Sequence, residues 1–155
     1  MTPPATLLPY LTTQGSLTAM LEAKAGQILR VKVIKEEWQP IDFKNKKILN
    51  LPVHRPALAW VREVLLFGND EQAWIHAKSI FPQPSLIGNA KRLRHLKDTP
   101  IGYAMFKKSR TLPCQRHIFK HDGQFKRASI YDWQGRYILV EEIFLHGFIT
   151  SFEKF

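Results

Sequence analysis

Apolar residues recur in two ways along this chain. Over six stretches they fall at every second residue or in short runs, and over three others at helical spacing. Ile28 to Trp38 sets Leu29, Val31 and Val33 against Arg30 and Lys32, the alternation of a strand with one face in water. Trp60 to Phe67 is apolar on both faces, rich in β-branched and aromatic residues, and bounded by Pro56 and Gly68-Asn-Asp. It reads as a central strand buried on both sides. Ala73 to Phe81 returns from that turn as an antiparallel partner and stops at Pro82 and Pro84. Cys114 to Lys120, Phe125 to Trp133 and Arg136 to Leu145 are three further strands, with turns at His121-Asp-Gly-Gln124 and Gln134-Gly135.

The helical segments are short. Ser16 caps one running to about Lys24, with Leu17, Met20 and Leu21 as its apolar stripe and Gly26 as its end. Ser85 opens a second to about Leu96, carrying Leu86, Leu93 and Leu96 on one side. Thr99-Pro100 suits the N-cap and first-turn proline of a third, Ile101 to Phe106. Residues 1–15 read as a loosely ordered lead-in, and Pro40 to Pro56 as a long connection with a basic Lys44-Asn-Lys-Lys47. Six antiparallel strands with a few short helices make one α+β domain over residues 1–155.

Charges interrupt strands that are otherwise apolar. Arg62 and Glu63 are adjacent, so the pleat sends them to opposite faces and they cannot neutralise each other. An unpaired buried charge is very costly, so each needs a partner or water. For Arg62 two readings stand: an ion pair with a neighbouring strand, or a planar fork awaiting a ligand carboxylate. Arg127 shares a face with Phe125, Ser129 and Tyr131. Glu142 lies among Ile138, Val140 and Phe144, whereas Glu141 faces the other way with Tyr137, Leu139, Ile143 and Leu145.

The formal net charge is +10, and residues 91–127 hold eleven Lys or Arg against two Asp, a balance of +9 in a quarter of the chain. That field attracts nucleic acid, an anionic surface or a small multiply charged anion. The amino-terminal stretch lacks a basic start and reads as neither signal peptide nor membrane span. A single cysteine, Cys114, excludes an internal disulfide and suits a reducing cytoplasm. Of six scattered histidines, His117 and His121 are four apart but fall on a strand running into a turn, and no phosphate-binding glycine loop, nucleophile elbow or zinc-protease helix is present. Two other classes fit parts of the pattern. A ligand-sensing regulatory domain would be tethered to a helix-turn-helix, for which the 27 residues before the first strand leave no room. A nucleic-acid-binding module would need aromatics such as Phe125 and Tyr131 exposed beside Arg127.

Trp60-Val-Arg-Glu-Val-Leu-Leu66, Pro82 after the returning strand, Leu96-Lys-Asp-Thr-Pro-Ile-Gly102, Phe125-Lys-Arg-Ala-Ser129 and Glu142-Ile-Phe-Leu145 resemble, in order and spacing, the chorismate pyruvate-lyase family. The likeness runs from Ser16 to about Leu145. It implies a monomer with a single six-stranded antiparallel sheet and short helices acting as flaps over a buried site. It also implies cleavage of chorismate to 4-hydroxybenzoate and pyruvate, the entry step of ubiquinone synthesis, without a cofactor. On that resemblance Arg62 meets a ligand carboxylate and Glu142 the ring hydroxyl. Main-chain groups of Leu17 and Ile101 complete the pocket, and Arg127 is a secondary candidate. The chain departs from the pattern in three places. Phe125 to Ser129 lacks the usual tryptophan, Ala128 replaces a second arginine, and His146-Gly-Phe-Ile replaces a proline-containing tail. Burial favours a protonated Glu142 and a neighbouring Arg62 an ionised one.

Overall fold

The structure is a computed structural model that describes residues 2–106, 111–133 and 135–153. Six strands, β1 (Arg30–Pro40), β2 (Leu58–Phe67), β3 (Ala73–Pro82), β4 (Cys114–His121), β5 (Gln124–Trp133) and β6 (Arg136–Phe144), form one antiparallel sheet in the order β1-β2-β3-β6-β5-β4. Among the described residues five short α-helices pack on it: α1 (Leu8–Thr12), α2 (Leu17–Ala25), α3 (Phe43–Ile48), α4 (Ile101–Met105) and α5 (His146–Ser151). The expected α+β architecture with a single six-stranded sheet is therefore present.

Paired residues of an antiparallel sheet share a face, so the register sorts the side chains. On the inner face Leu7, Leu11, Leu17 and Leu21 from α1 and α2 and their flanks cover Val64, Leu66, Ile75 and Phe144. Leu86, Leu93, Leu96 and Met105 from the segment between β3 and β4 cover Phe81, Tyr131, Ile138 and Val140. A smaller cluster on the outer face joins Ile41 and Leu49, flanking α3, to Ala59, Val61, Ile80 and Leu139. Asp42 caps α3 by accepting from the Asn45 N–H at 2.8 Å, and Ser16 caps α2 by accepting from the Ala19 N–H at 3.1 Å. Gly26, at φ 72°, ends α2 in the left-handed conformation that a side chain disfavours.

Four expectations need correction. β2 is second from the edge, and its outer face is buried at Ala59 and Val61 but only partly at Glu63, Leu65 and Phe67. Its continuous apolar run reflects α3 packing over one end, not cover along its length. The lead-in carries α1, whose Leu7 and Leu11 are fully buried. Too few residues separate its prolines and threonines for a helical period to stand out. The connection from Pro40 to Pro56 contains α3, so Lys44, Lys46 and Lys47 sit on a helix. In place of one helix from Ser85 to Leu96 there are two 3-10 segments, Gln83–Ser85 and Gly88–His95, although Leu86, Leu93 and Leu96 are buried as their spacing predicts. The tail forms α5, which seats Phe148 against Trp74 at 5.2 Å and Tyr10 at 5.0 Å between ring centroids. A Cβ on Gly147 would lie 2.8 Å from the Ala73 carbonyl oxygen, so glycine is what lets α5 approach β3.

If α1 is part of the core, Leu11→Ala leaves a cavity beneath it. The expected loss is about 2–5 kcal/mol of unfolding free energy, read by chemical denaturation. A loss below about 0.5 kcal/mol, typical of surface positions, would mean that α1 is not docked in solution.

Candidate active site

A polar seam crosses the inner face between its two apolar clusters. Cross-strand pairing places Glu36, Arg62, Ser79, Val140, Ser129 and Arg116 in one row across all six strands. The adjacent row holds Val64, Ala77, Glu142, Arg127 and Ile118. Arg62, Ser79, Arg127, Ser129 and Glu142 are all buried. Glu141 pairs with Lys78 and Ala128 on the opposite face. The pleat thus puts Glu142, not Glu141, on the face of Arg62. It also turns Ala128 away from that face, so the arginine missing there is not missing from the seam.

Arg62 is 2% exposed and its guanidinium bonds mainly to backbone. Nη1 donates to the Lys97 carbonyl at 2.7 Å and Nη2 to the Thr99 carbonyl at 2.9 Å. The Glu36 carboxylate stands 3.5 Å from Nη1. Burial lowers the Arg62 pKa from its ordinary value, opposed by Glu36 and Asp98. A guanidinium has five N–H groups, so Nε–H and one Nη2–H have no partner among the described residues. That free edge suits a carboxylate held by two parallel bonds. Trp60 lies on the same face, two residues away, and its buried Nε1–H also lacks a partner among the described residues.

Glu142 is held by Arg127, not by Arg62. Arg127 Nε donates to Glu142 Oε1 at 2.6 Å, and its Nη1 donates to the Tyr10 carbonyl at 3.2 Å. Burial works against the Arg127 charge, but Glu142, with smaller help from Tyr131, outweighs it and raises the pKa. Arg62, the neighbour expected for the glutamate, is separated from it by two strand positions and one row.

Arg116 and Tyr131 went unrecognised as site residues in the sequence. Arg116 Nε donates to Ser129 Oγ at 2.8 Å, Nη2 to the Tyr131 hydroxyl at 3.0 Å, and Nη1 to the Thr13 carbonyl. The alternation of Arg116 with Cys114 and Ile118 was the available signal. Burial, and then the nearby Glu142, push the Tyr131 phenol up from its ordinary pKa and keep it protonated at neutral pH.

Two helical covers meet over the seam. Leu17 is the first residue of α2 and is buried; Ile101 is the first of α4 and is half-buried. Pro100, not Thr99, stands at the N-cap of α4, because the Thr99 carbonyl turns to Arg62. A Cβ on Gly102 would lie 2.5 Å from Thr18 Oγ1 and 3.1 Å from Ser16 Oγ, so the covers touch there. The Tyr103 hydroxyl donates to Glu22, which raises the phenol pKa to about 12, and the same carboxylate accepts from the Leu29 N–H.

Lys91, Arg92, Arg94 and Lys97 of the basic segment are exposed on the outside of this cover, and Arg94 stacks on Trp38 and Trp60. Lys107, Lys108 and Arg110 of that segment lie outside the described residues. Tyr131 is buried and Phe125 packs on the core, so neither offers a stacking platform to nucleic acid. A cavity of about 750 Å³ lined by Pro40, Leu51, Pro52 and Pro84 lies away from the seam. Among the described residues no three His, Cys, Asp or Glu side chains gather as metal ligands, and no helix is long and apolar enough to cross a membrane.

Residues 1–154 match the family model for chorismate lyase. A Psychrobacter cryohalolentis protein named "Probable chorismate pyruvate-lyase" is 49% identical over 94% of this chain and 89% of its own length. A Psychrobacter arcticus protein of the same name is 53% identical over 92% and 86%, and one from Acinetobacter baylyi is 36% identical over 96% and 85%. Among solved structures the effector domain of PhnF from Mycobacterium smegmatis superposes with a TM-score of 0.57 at 14% identity, covering 88% of this chain and 91% of that one. The gene product SA0254 from Staphylococcus aureus gives 0.58 at 10% identity, covering 87% and 90%. At those identities the likeness is one of fold.

The contact between covers predicts the effect of Gly102→Ala. The added methyl has to displace Thr18 and wedge α2 from α4, with an expected cost of about 1–3 kcal/mol and faster amide exchange in both helices. Unchanged stability together with unchanged exchange would mean that the covers do not touch in solution.

Proposed function

We infer the activity from one premise, that the chain belongs to the chorismate lyase family. It cleaves chorismate to 4-hydroxybenzoate and pyruvate. The observation that carries this is the match over residues 1–154, together with relatives of that name at about half identity. In the reaction the ether bond between ring and enolpyruvyl arm breaks. The ring carbon bearing the hydroxyl loses its hydrogen as a proton and the ring becomes aromatic. The arm gains a proton at its methylene carbon and leaves as pyruvate.

The buried seam supplies what this needs. The free edge of Arg62 takes the ring carboxylate with two bonds, and the carbonyls of Lys97 and Thr99 hold its other edge fixed. Glu142, oriented by Arg127, accepts from the ring hydroxyl and places the carbon beside it for proton loss. Leu17 and Ile101 bring the first turns of α2 and α4 over the site, where closing them excludes water. The exposed cations of the cover draw in a dianionic substrate, which gives the basic segment a purpose other than nucleic acid. The free Cys114 suits a reducing cytoplasm, and in this reading the protein acts there as a monomer, feeding ubiquinone synthesis as the resemblance implies.

The deciding experiment is incubation of pure, metal-stripped protein with chorismate, following both products. Equal release of 4-hydroxybenzoate and pyruvate is expected. Binding without turnover, as in a ligand-sensing domain, or turnover that only added metal restores, would overturn the scheme.

Two substitutions test the roles. Arg62→Lys keeps the charge but loses the planar fork, so its turnover should fall almost as far as that of Arg62→Ala, by roughly 10²–10³-fold. A lysine variant near wild type would mean that a point charge suffices. Glu142→Gln should lower kcat by roughly 10²–10⁴-fold while Glu141→Gln, on the other face, changes it little. Thermal melts accompany both, since Glu142→Gln also weakens the neutralisation of buried Arg127. A dead but well-folded Glu141→Gln would mean that the site lies on the other face.

A further inference from the structure

Chorismate carries two carboxylates, and Arg62 accounts for one. Counting charge along the seam shows where the other can go. Arg127 is already neutralised by Glu142 at 2.6 Å. Arg116 has no carboxylate within ion-pair distance among the described residues, and its three hydrogen bonds go to neutral oxygens. Those bonds use Nε–H and one N–H on each Nη, leaving two of its five N–H groups open. Ser129 Oγ and the Tyr131 hydroxyl both accept from Arg116, so their own protons are directed elsewhere. Ser129 is fully buried and Tyr131 is 3% exposed. The result is a half-buried cation flanked by two hydroxyl donors, neither of them hydrogen-bonded to an anion among the described residues. That is the composition of a carboxylate cradle.

Its position fits the arm of the substrate. Arg62 and Arg116 lie four strands apart in one row, and the residues between them, Ser79, Val140 and Ser129, are small. Four strand steps separate their backbones, about 19 Å at ordinary sheet spacing, and Arg116 shortens this by reaching across β5 to Ser129 and Tyr131. Glu142 lies between, on β6, in the adjacent row. With the ring carboxylate at Arg62 and the ring hydroxyl at Glu142, the ether oxygen on the next ring carbon is at the Glu142 end. The enolpyruvyl arm then extends over β5, toward Arg116.

We propose that Arg116, with Ser129 and Tyr131, binds the enolpyruvyl carboxylate of chorismate and so distinguishes the dianionic substrate from the monoanionic product. This rests on the lyase reading above. Arg116 is then a binding residue for the substrate and for the departing pyruvate, and contributes nothing to holding 4-hydroxybenzoate.

The test compares two ligands in the same variants. Arg116→Gln should lower kcat/KM for chorismate by roughly 10–10²-fold, while the Kd for 4-hydroxybenzoate, measured by calorimetry, moves less than about twofold. Tyr131→Phe keeps the ring and removes one donor, and should shift the same ratio in the same direction by a smaller factor. Arg62→Ala is the control and should weaken both ligands. Arg116 also donates to the Thr13 carbonyl, so a purely structural role would weaken substrate and product together. That outcome overturns the proposal, as does an unchanged kcat/KM for chorismate. If Arg116→Gln does not fold, Arg116→Lys replaces it: the same split between ligands supports the cradle and a parallel loss refutes it. Wild-type protein that fails to turn over chorismate refutes the lyase reading itself, before any variant is compared.

Discussion

Three arginines point from the sheet into a covered interior, and a charge there has to be matched or the fold loses more than any single contact returns. Beside their side-chain partners, the chain offers each of them main-chain carbonyls from the segments that lie on top. Arg62 takes Lys97 and Thr99, Arg127 takes Tyr10, and Arg116 takes Thr13. The covers are therefore fastened by the same side chains that the site uses. Lys97 adopts φ 55°, uncommon for a residue with a side chain, in the loop that offers its carbonyl to Arg62. Backbone conformation and arginine placement support each other at that point.

This arrangement explains why the polar seam does not melt the interior. On either side of it lie apolar clusters, one under α1, α2 and α5 and one under the segment between β3 and β4. Each cover is held by its own apolar side chains and aligned by its arginine. Burial energy supplies the strength, because it scales with area. Hydrogen bonds to carbonyls supply the alignment, because they are directional.

Much of the sheet was legible in the sequence because strand period and turn residues are local properties. The turns at Asp122-Gly123 and Gly135 adopt the positive φ values that their residue types favour. The assignment of Glu142 and Arg62 to one face follows from register, which no local window contains. α1, α3 and α5 were missed because five or six residues do not establish a helical period, and their evidence is tertiary: Leu7, Leu49 and Phe148 are buried against distant strands. The partners of the arginines were illegible for a different reason. A carbonyl oxygen is present at every residue, so Tyr10, Thr13, Lys97 and Thr99 carry no mark of their role.

The order of strands has a consequence for how the protein comes into being. β1, β2 and β3 form one meander and β4, β5 and β6 another, each built from neighbours in sequence. One junction joins them, the pairing of β3 with β6 from Ile75↔Phe144 to Ile80↔Leu139. Arg62 belongs to the first half and Arg116, Arg127 and Glu142 to the second. Each half pairs strands consecutive in sequence, the connection that carries α3 being its longest, whereas the junction has to close a longer stretch of chain from β3 to β6. The catalytic constellation does not exist until that last seam zips. A slip of two residues there would keep every side chain on its proper face yet carry Glu142 nearly 7 Å, about two strand rises, along the sheet past Arg62. Such a misfolded form would keep its apolar face inward but lose the packing that spans the junction, and with it the site, so correct closure of one junction is the step on which function waits.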